Sequence, residues 1–139
     1  SIPDEVFLTK YGCKTLTRLP HRKGIGHVDE VVKIIDDNNV VTEVAEYKPA
    51  LEKAGYKVHL LPEPDEAIET YANSLIINGT IFVPVFDEAN DQKALEVYKQ
   101  FGFNVIAVNS KNLSNEGQGS IHCITMAYPP VPLKELSNI

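Results

Sequence analysis

An internal repeat constrains the possible folds of this chain more than any other feature. Each copy predicts a β-branched strand, a helix that ends at a glycine, and a returning strand. The first copy places these elements at 40–44, 47–54 and 56–61, and the second places them at 81–85, 91–101 and 103–108. The triplet Ala-Leu-Glu at 50–52 recurs at 94–96, an offset of about 45 residues that is typical of repeat architectures.

A further strand is predicted before each copy, which makes the repeating unit ββαβ. Residues 28–35 lead through a turn-rich stretch into the first copy, and residues 74–77 lead through Asn78-Gly79, the strongest short hairpin signal, into the second. We therefore predict an α/β fold of repeated ββαβ modules, with module one at about 24–62, module two at about 70–126 and a C-terminal tail at 127–139. The 139 residues make one domain or one domain fragment.

Composition excludes several classes of partner. The net charge of −6 and the pI near 5.2 argue against a nucleic-acid-binding surface, which needs clustered Lys and Arg. No apolar run approaches the roughly 20 residues that span a bilayer, so we expect no membrane partner. No Cys-x-x-Cys spacing occurs, so no metal site is predicted. Two cysteines are consistent with free thiols in a reducing compartment, and we expect a cytoplasmic protein, with a secreted protein carrying one disulfide as the alternative.

A cysteine near one end of the chain and a histidine–carboxylate pair near the other are the candidate catalytic residues. Cys123 follows a polar, glycine-containing stretch at 110–120 that is predicted as a loop, and His27 and Asp29 open the predicted first strand of module one. A thiol needs a positioned base or a cationic neighbour to react at neutral pH. Residues two apart in a strand project to one face, so we expect His27 and Asp29 to share one space. Asn73 opens module two much as His27 opens module one, and its amide can both donate and accept hydrogen bonds.

Simpler interpretations compete with these assignments. Cys123 could be a buried structural cysteine, and the other cysteine, Cys13, is expected to be structural. In an extended segment His122 would point away from Cys123, which makes the two poor joint metal ligands. His21 and His59 are expected to be surface or core residues without functional partners.

Three segments, residues 26–30, 70–84 and 120–125, resemble the agmatine deiminase and bacterial-type (Porphyromonas-type) peptidylarginine deiminase family. The resemblance runs from about residue 24 to residue 130. It implies the pentein fold of the guanidino-group-modifying enzymes, a five-bladed α/β propeller of ββαβ modules. Only two modules are recognisable here, so we expect this chain to be the C-terminal part of a longer enzyme. The remaining modules, or a second copy of the chain, are then the expected macromolecular partners.

Carried over residue by residue, the resemblance implies that Cys123 is the nucleophile, His27 the proton-transferring histidine and Asp29 a carboxylate that binds the guanidinium, with Asn73 as an active-site asparagine. The implied reaction converts a small cationic guanidine such as agmatine, or peptidyl-arginine, to a ureido product and ammonia through a covalent amidino-thioether, without a cofactor. Met126 replaces a glutamine that is frequent in agmatine deiminases, and no second upstream carboxylate is recognisable. The alternatives are a Cys-His-Asp acyl hydrolase and a non-catalytic fragment or binding module.

Overall fold

The structure is a computed structural model that describes residues 2–21 and 26–127. Its helices are α1 (Asp4–Thr9), α2 (Val28–Val31), α3 (Lys48–Lys53), α4 (Asp91–Lys99) and α5 (Lys111–Gly117), with 3-10 turns at Ala45–Tyr47 and His122–Ile124. Its strands are β1 (Val32–Ile34), β2 (Asn39–Thr42), β3 (Lys57–Leu60), β4 (Leu75–Ile77), β5 (Thr80–Val85) and β6 (Asn104–Asn109).

The strands form two three-stranded sheets with the same topology. In each sheet the first two strands pair antiparallel, and the third strand returns parallel to the central one, so the orders are β1-β2-β3 and β4-β5-β6. The helical segment between the parallel strands is α3 in the first unit and α4 in the second. The prediction of a repeated ββαβ unit is therefore confirmed.

The hairpin of the second unit turns at Asn78-Gly79, as predicted. Asn78 and Gly79 have positive φ values of 47° and 77°, the backbone conformation that a two-residue turn of this kind needs at both positions. Pro84 lies in β5 and pairs with Val108 of β6 on one side. On the other side, β4 pairs with β5 only as far as Phe82, so it does not reach Pro84. A proline, which has no N–H, is tolerated there because no described strand pairs with β5 on its other side at this position.

Residues from both units contribute to one core. Val41 of β2 and Ile81 and Val83 of β5 are fully buried and belong to a single hydrophobic cluster with Tyr98 of α4. The Tyr98 hydroxyl donates a 2.9 Å hydrogen bond to the carbonyl of Tyr71. Burial raises the pKa of Tyr98 above its usual range, so the phenol stays neutral inside the core. A second cluster around Val40 and Leu51 packs α3 against the first sheet.

Two segments differ from the predicted secondary structure. The strand predicted from residue 28 begins only at Val32, because residues 28–31 form α2, with Asp29 and Glu30 in the first turn where acidic side chains favour a helix. The polar stretch at 110–120, predicted as a loop, contains α5, which ends at Gln118 in the left-handed conformation. The predicted boundary at residue 24 and the tail beyond residue 127 lie outside the described residues.

No helix among residues 2–21 and 26–127 is long and apolar enough to cross a membrane.

Candidate active site

Asn73 hydrogen-bonds both to Asp29 and to the candidate nucleophile, Cys123. Its side chain is fully buried, and its amide nitrogen donates to Cys123 Sγ at 3.1 Å and to the Asp29 carbonyl at 3.0 Å. Its amide oxygen accepts the backbone N–H groups of Ser120 at 3.1 Å and of Cys123 at 3.2 Å. The backbone carbonyl of Asn73 also accepts the N–H of His122 at 3.1 Å. Asn73 therefore fixes the position of the thiol by direct contact.

A carboxylate and an imidazole lie beside the thiol. Asp29 Oδ2 accepts a 2.8 Å hydrogen bond from His122 Nδ1, and Cys123 Sγ lies 3.8 Å from the same oxygen. His122 and Cys123 share a 3-10 turn, so they project differently from the extended arrangement assumed for the sequence. The histidine that contacts Asp29 is therefore His122, which sequence reasoning did not select.

The environment of Asp29 favours its ionised form. Burial raises the pKa of Asp29, but the hydrogen bond from His122 and the charge on that ring outweigh burial and hold the pKa below its ordinary value. The charge of His27 acts in the same direction with a smaller effect. An anionic carboxylate thus lies next to the candidate nucleophile.

His27 does not share a strand face with Asp29, and that expectation is wrong. It is the N-cap residue of α2, with extended backbone, and Asp29 lies in the first helical turn. The His27 side chain is exposed and donates no hydrogen bond to any residue that the structure describes. Its charge has a small lowering effect on the pKa of Asp29.

A glycine lies directly against the nucleophile. A Cβ atom on Gly119 would lie 3.0 Å from Cys123 Cβ and 3.2 Å from Sγ, which is too close without a shift of the thiol. The turn that carries Gly119 follows α5, and α5 is held by a 2.8 Å hydrogen bond from Asn115 to the buried carboxyl group of Glu69. The absence of a side chain at 119 lets the backbone pass close to Cys123.

The remaining candidates lie outside this cluster. Cys13 is exposed and free, which does not fit a structural cysteine, and Cys123 is also exposed and free. His59 makes structural contacts, since its Nε2 lies 3.0 Å from Asn39 Oδ1 and its ring lies edge-on against Phe101. Within the described part of the chain, no group of three His, Cys, Asp or Glu residues could hold a metal ion.

Comparison with known proteins assigns the chain to a family. The family model of Porphyromonas-type peptidyl-arginine deiminase matches residues 13–129. The chain belongs to this family. The matched region of this peptidyl-arginine deiminase family member includes both ββαβ units and the whole cluster around Asn73.

Relatives of known name agree with this assignment. Over 62 residues the chain is 37% identical to an agmatine deiminase of Pseudomonas syringae pv. syringae, an alignment that covers 43% of this chain and 17% of that protein. The structure of a candidate arginine deiminase from Porphyromonas gingivalis superposes with a TM-score of 0.73 at 26% identity, and the match covers 91% of this chain and 46% of that one. The agmatine deiminase of C. jejuni superposes with a TM-score of 0.59 at 27% identity, over 70% of this chain and 36% of that one.

These comparisons also fix the fold class. The repeated ββαβ units and the superpositions show that the chain has the α/β pentein fold of the deiminases. The chain spans less than half the length of the solved relatives that it matches. A cysteine-to-serine variant of the C. jejuni enzyme has been solved with substrate bound.

Proposed function

We propose that this chain is the cysteine-bearing part of a guanidine deiminase, a hydrolase of C–N bonds in linear amidines. The observation that supports this most is the carboxylate of Asp29, whose Oδ2 lies 3.8 Å from Cys123 Sγ. A carboxylate accepts paired hydrogen bonds from a planar guanidinium group. A guanidinium bound to Asp29 would present its central carbon to the sulfur.

The proposed reaction has two steps. The Cys123 thiolate attacks the guanidinium carbon, a C–S bond forms, and one C–N bond breaks as ammonia leaves with a proton from a general acid. Water then attacks the amidino-thioether carbon, the C–S bond breaks, and the ureido product is released with the thiolate restored. Asn73 would hold Sγ in place through both steps, since its amide nitrogen donates to the sulfur.

His27 is the proposed general acid and base, as the family resemblance implies. The proposal is supported by its position at the N-terminus of α2, one residue before the helix that carries Asp29. Its side chain has no hydrogen-bond partner among the described residues, so both ring nitrogens remain available for a departing ammonia or an incoming water.

Agmatine and peptidyl-arginine are the proposed substrates, because relatives carry the names agmatine deiminase and peptidyl-arginine deiminase. Both substrates are cationic guanidines that Asp29 could bind. Further modules of a longer chain, or a second copy, are the proposed source of the contacts to the rest of the substrate, since the solved relatives are more than twice as long as the part matched here.

Turnover by the full-length gene product tests the proposal. Ammonia and ureido product are measured with agmatine, free arginine and a peptidyl-arginine, and Cys123→Ala is compared with Cys13→Ala, which removes the other free thiol. We expect turnover of at least one guanidine, its loss in Cys123→Ala and its retention in Cys13→Ala. Binding of guanidines without turnover would indicate a non-catalytic module and refute the proposal.

A further inference from the structure

The residue before the nucleophile makes a contact that the proposed reaction does not use. His122 Nδ1 donates to Asp29 Oδ2 at 2.8 Å across 93 positions of sequence. Cys123 Sγ makes a longer contact, at 3.8 Å, with the same oxygen. Among the described residues, the hydrogen bond of the His122 ring is to this carboxylate, so the contact through Nδ1 acts on Asp29.

We propose that His122 is a positioning residue that orients the Asp29 carboxylate for a cationic substrate, an inference that rests on the proposed deiminase function. Asp29 lies in the first turn of a four-residue helix, where the backbone alone does not fix a side-chain rotamer. The 3-10 turn fixes the backbone of His122. Its N–H donates to the Asn73 carbonyl, and its carbonyl accepts the N–H of Thr125 at 3.0 Å and the hydroxyl of Thr125 at 2.8 Å.

Charge gives a second reason for this role. An anionic carboxylate close to Sγ opposes formation of the thiolate, and a hydrogen bond donated to that carboxylate weakens the repulsion. Within the described residues, the other titratable groups that interact with Asp29 are His27, Lys33 and Cys123. The pKa of Lys33 is lowered by burial, with the charge of Asp29 opposing the shift. His122 is the group among these that donates a short hydrogen bond to the carboxylate.

Two alkylating reagents of the same shape separate orientation of the carboxylate from general damage to the fold. 2-Chloroacetamidine is a cation and 2-chloroacetamide is neutral, and in both cases Sγ displaces chloride from carbon. The experiment uses the full-length gene product with Cys13→Ala, so that Cys123 is the thiol of this region that reacts. Rates with both reagents are measured for His122→Phe, which keeps ring volume without a donor, and for His122→Asn, whose amide nitrogen can replace Nδ1.

We expect the unmodified site to prefer the cationic reagent. His122→Phe should lower this preference by about tenfold, the equivalent of one hydrogen bond to a charged group, while His122→Asn keeps it within about threefold. A merely structural role would slow both reagents equally and leave the ratio unchanged. His21→Phe, at an exposed histidine, is the control.

An unchanged ratio in His122→Phe overturns the positioning role. If His122→Phe does not fold, the same ratio of rates is measured for His122→Leu, which has no hydrogen-bond donor, and compared with the ratio for His122→Asn, which has one. A preference for the cation that depends on His122, in a protein that turns over no guanidine, would refute the deiminase function and still support the positioning of Asp29. The two failures are therefore distinguishable.

Discussion

Asn73→Asp is the substitution that most sharply tests how the thiol is held. The change keeps the acceptor oxygen for the N–H groups of Ser120 and Cys123 and replaces the amide donor with a carboxylate oxygen. The buried donor lies 3.1 Å from Sγ. Two unit charges at that separation repel by about 5 kcal/mol at an effective dielectric constant of about 20.

The repulsion disfavours the reactive thiolate. An energy of about 5 kcal/mol corresponds to more than a thousandfold in an equilibrium, and uptake of a proton by the buried carboxyl group relieves part of it. We therefore expect alkylation of Cys123 by iodoacetamide at pH 7 to slow by about a hundredfold or more, with the rate recovering as the pH is raised.

The assay follows modified Cys123 by mass spectrometry in a Cys13→Ala background. Asn104→Asp, which adds the same charge at an exposed position of β6, should leave the rate within about twofold, because solvent screens surface charges. If Asn73→Asp reacts as fast as the parent protein, the amide of Asn73 does not contact the sulfur, and the architecture described for the site is wrong.

Two further predictions concern the same cluster. Gly119→Ala should lower activity at least about tenfold and destabilise the fold by about 1–3 kcal/mol, because the new methyl group would lie 3.0 Å from Cys123 Cβ and force Cys123 to shift. Gly117→Ala meets Leu113 at an ordinary 3.6 Å and should be neutral in both the turnover and thermal-melting assays. The pKa of Asp29 is lowered in the folded state, so its pairing with His122 stabilises the fold above the ordinary carboxyl pKa, and this contribution is lost as the pH falls through the lowered value. Urea melts between about pH 5 and pH 2 should show a larger loss for the parent than for Asp29→Asn, and identical profiles would contradict the ion pair.

Local signals predicted most of the repeated fold. Alternation of β-branched residues, glycines after the helices and the Asn78-Gly79 hairpin each act over a few residues, and all of them agree with the observed ββαβ units. The observed order of strands within each sheet is compatible with the same pattern, since a helix between two strands favours a parallel return.

The α2 segment shows where such signals fail. Val28, Val31 and Val32 favour a strand by their branching, but Asp29 and Glu30 favour the first turn of a helix, and the helix packs beside the turn that carries Cys123. Tertiary contact across more than ninety residues decides between the two, and no local pattern contains that information.

The sequence predicted which residues form the site better than it predicted which of them contact one another. Cys123, Asp29 and Asn73 were selected from the sequence, and the structure brings these three together. His122 was set aside because neighbours in an extended chain point apart, and its contact with Asp29 requires the 3-10 turn. The catalytic role of His27 stays a prediction, since its side chain contacts neither Asp29 nor Cys123 by a hydrogen bond in the described structure.

The central claim is that Cys123 attacks the carbon of a guanidine. The most direct measurement is peptide mass spectrometry of the full-length gene product, quenched with acid during turnover of the guanidine that it uses. The account predicts a peptide containing Cys123 heavier by the mass of the substrate less ammonia, with the peptide containing Cys13 unmodified. Turnover without such an adduct on Cys123, or with the adduct on another residue, would contradict it.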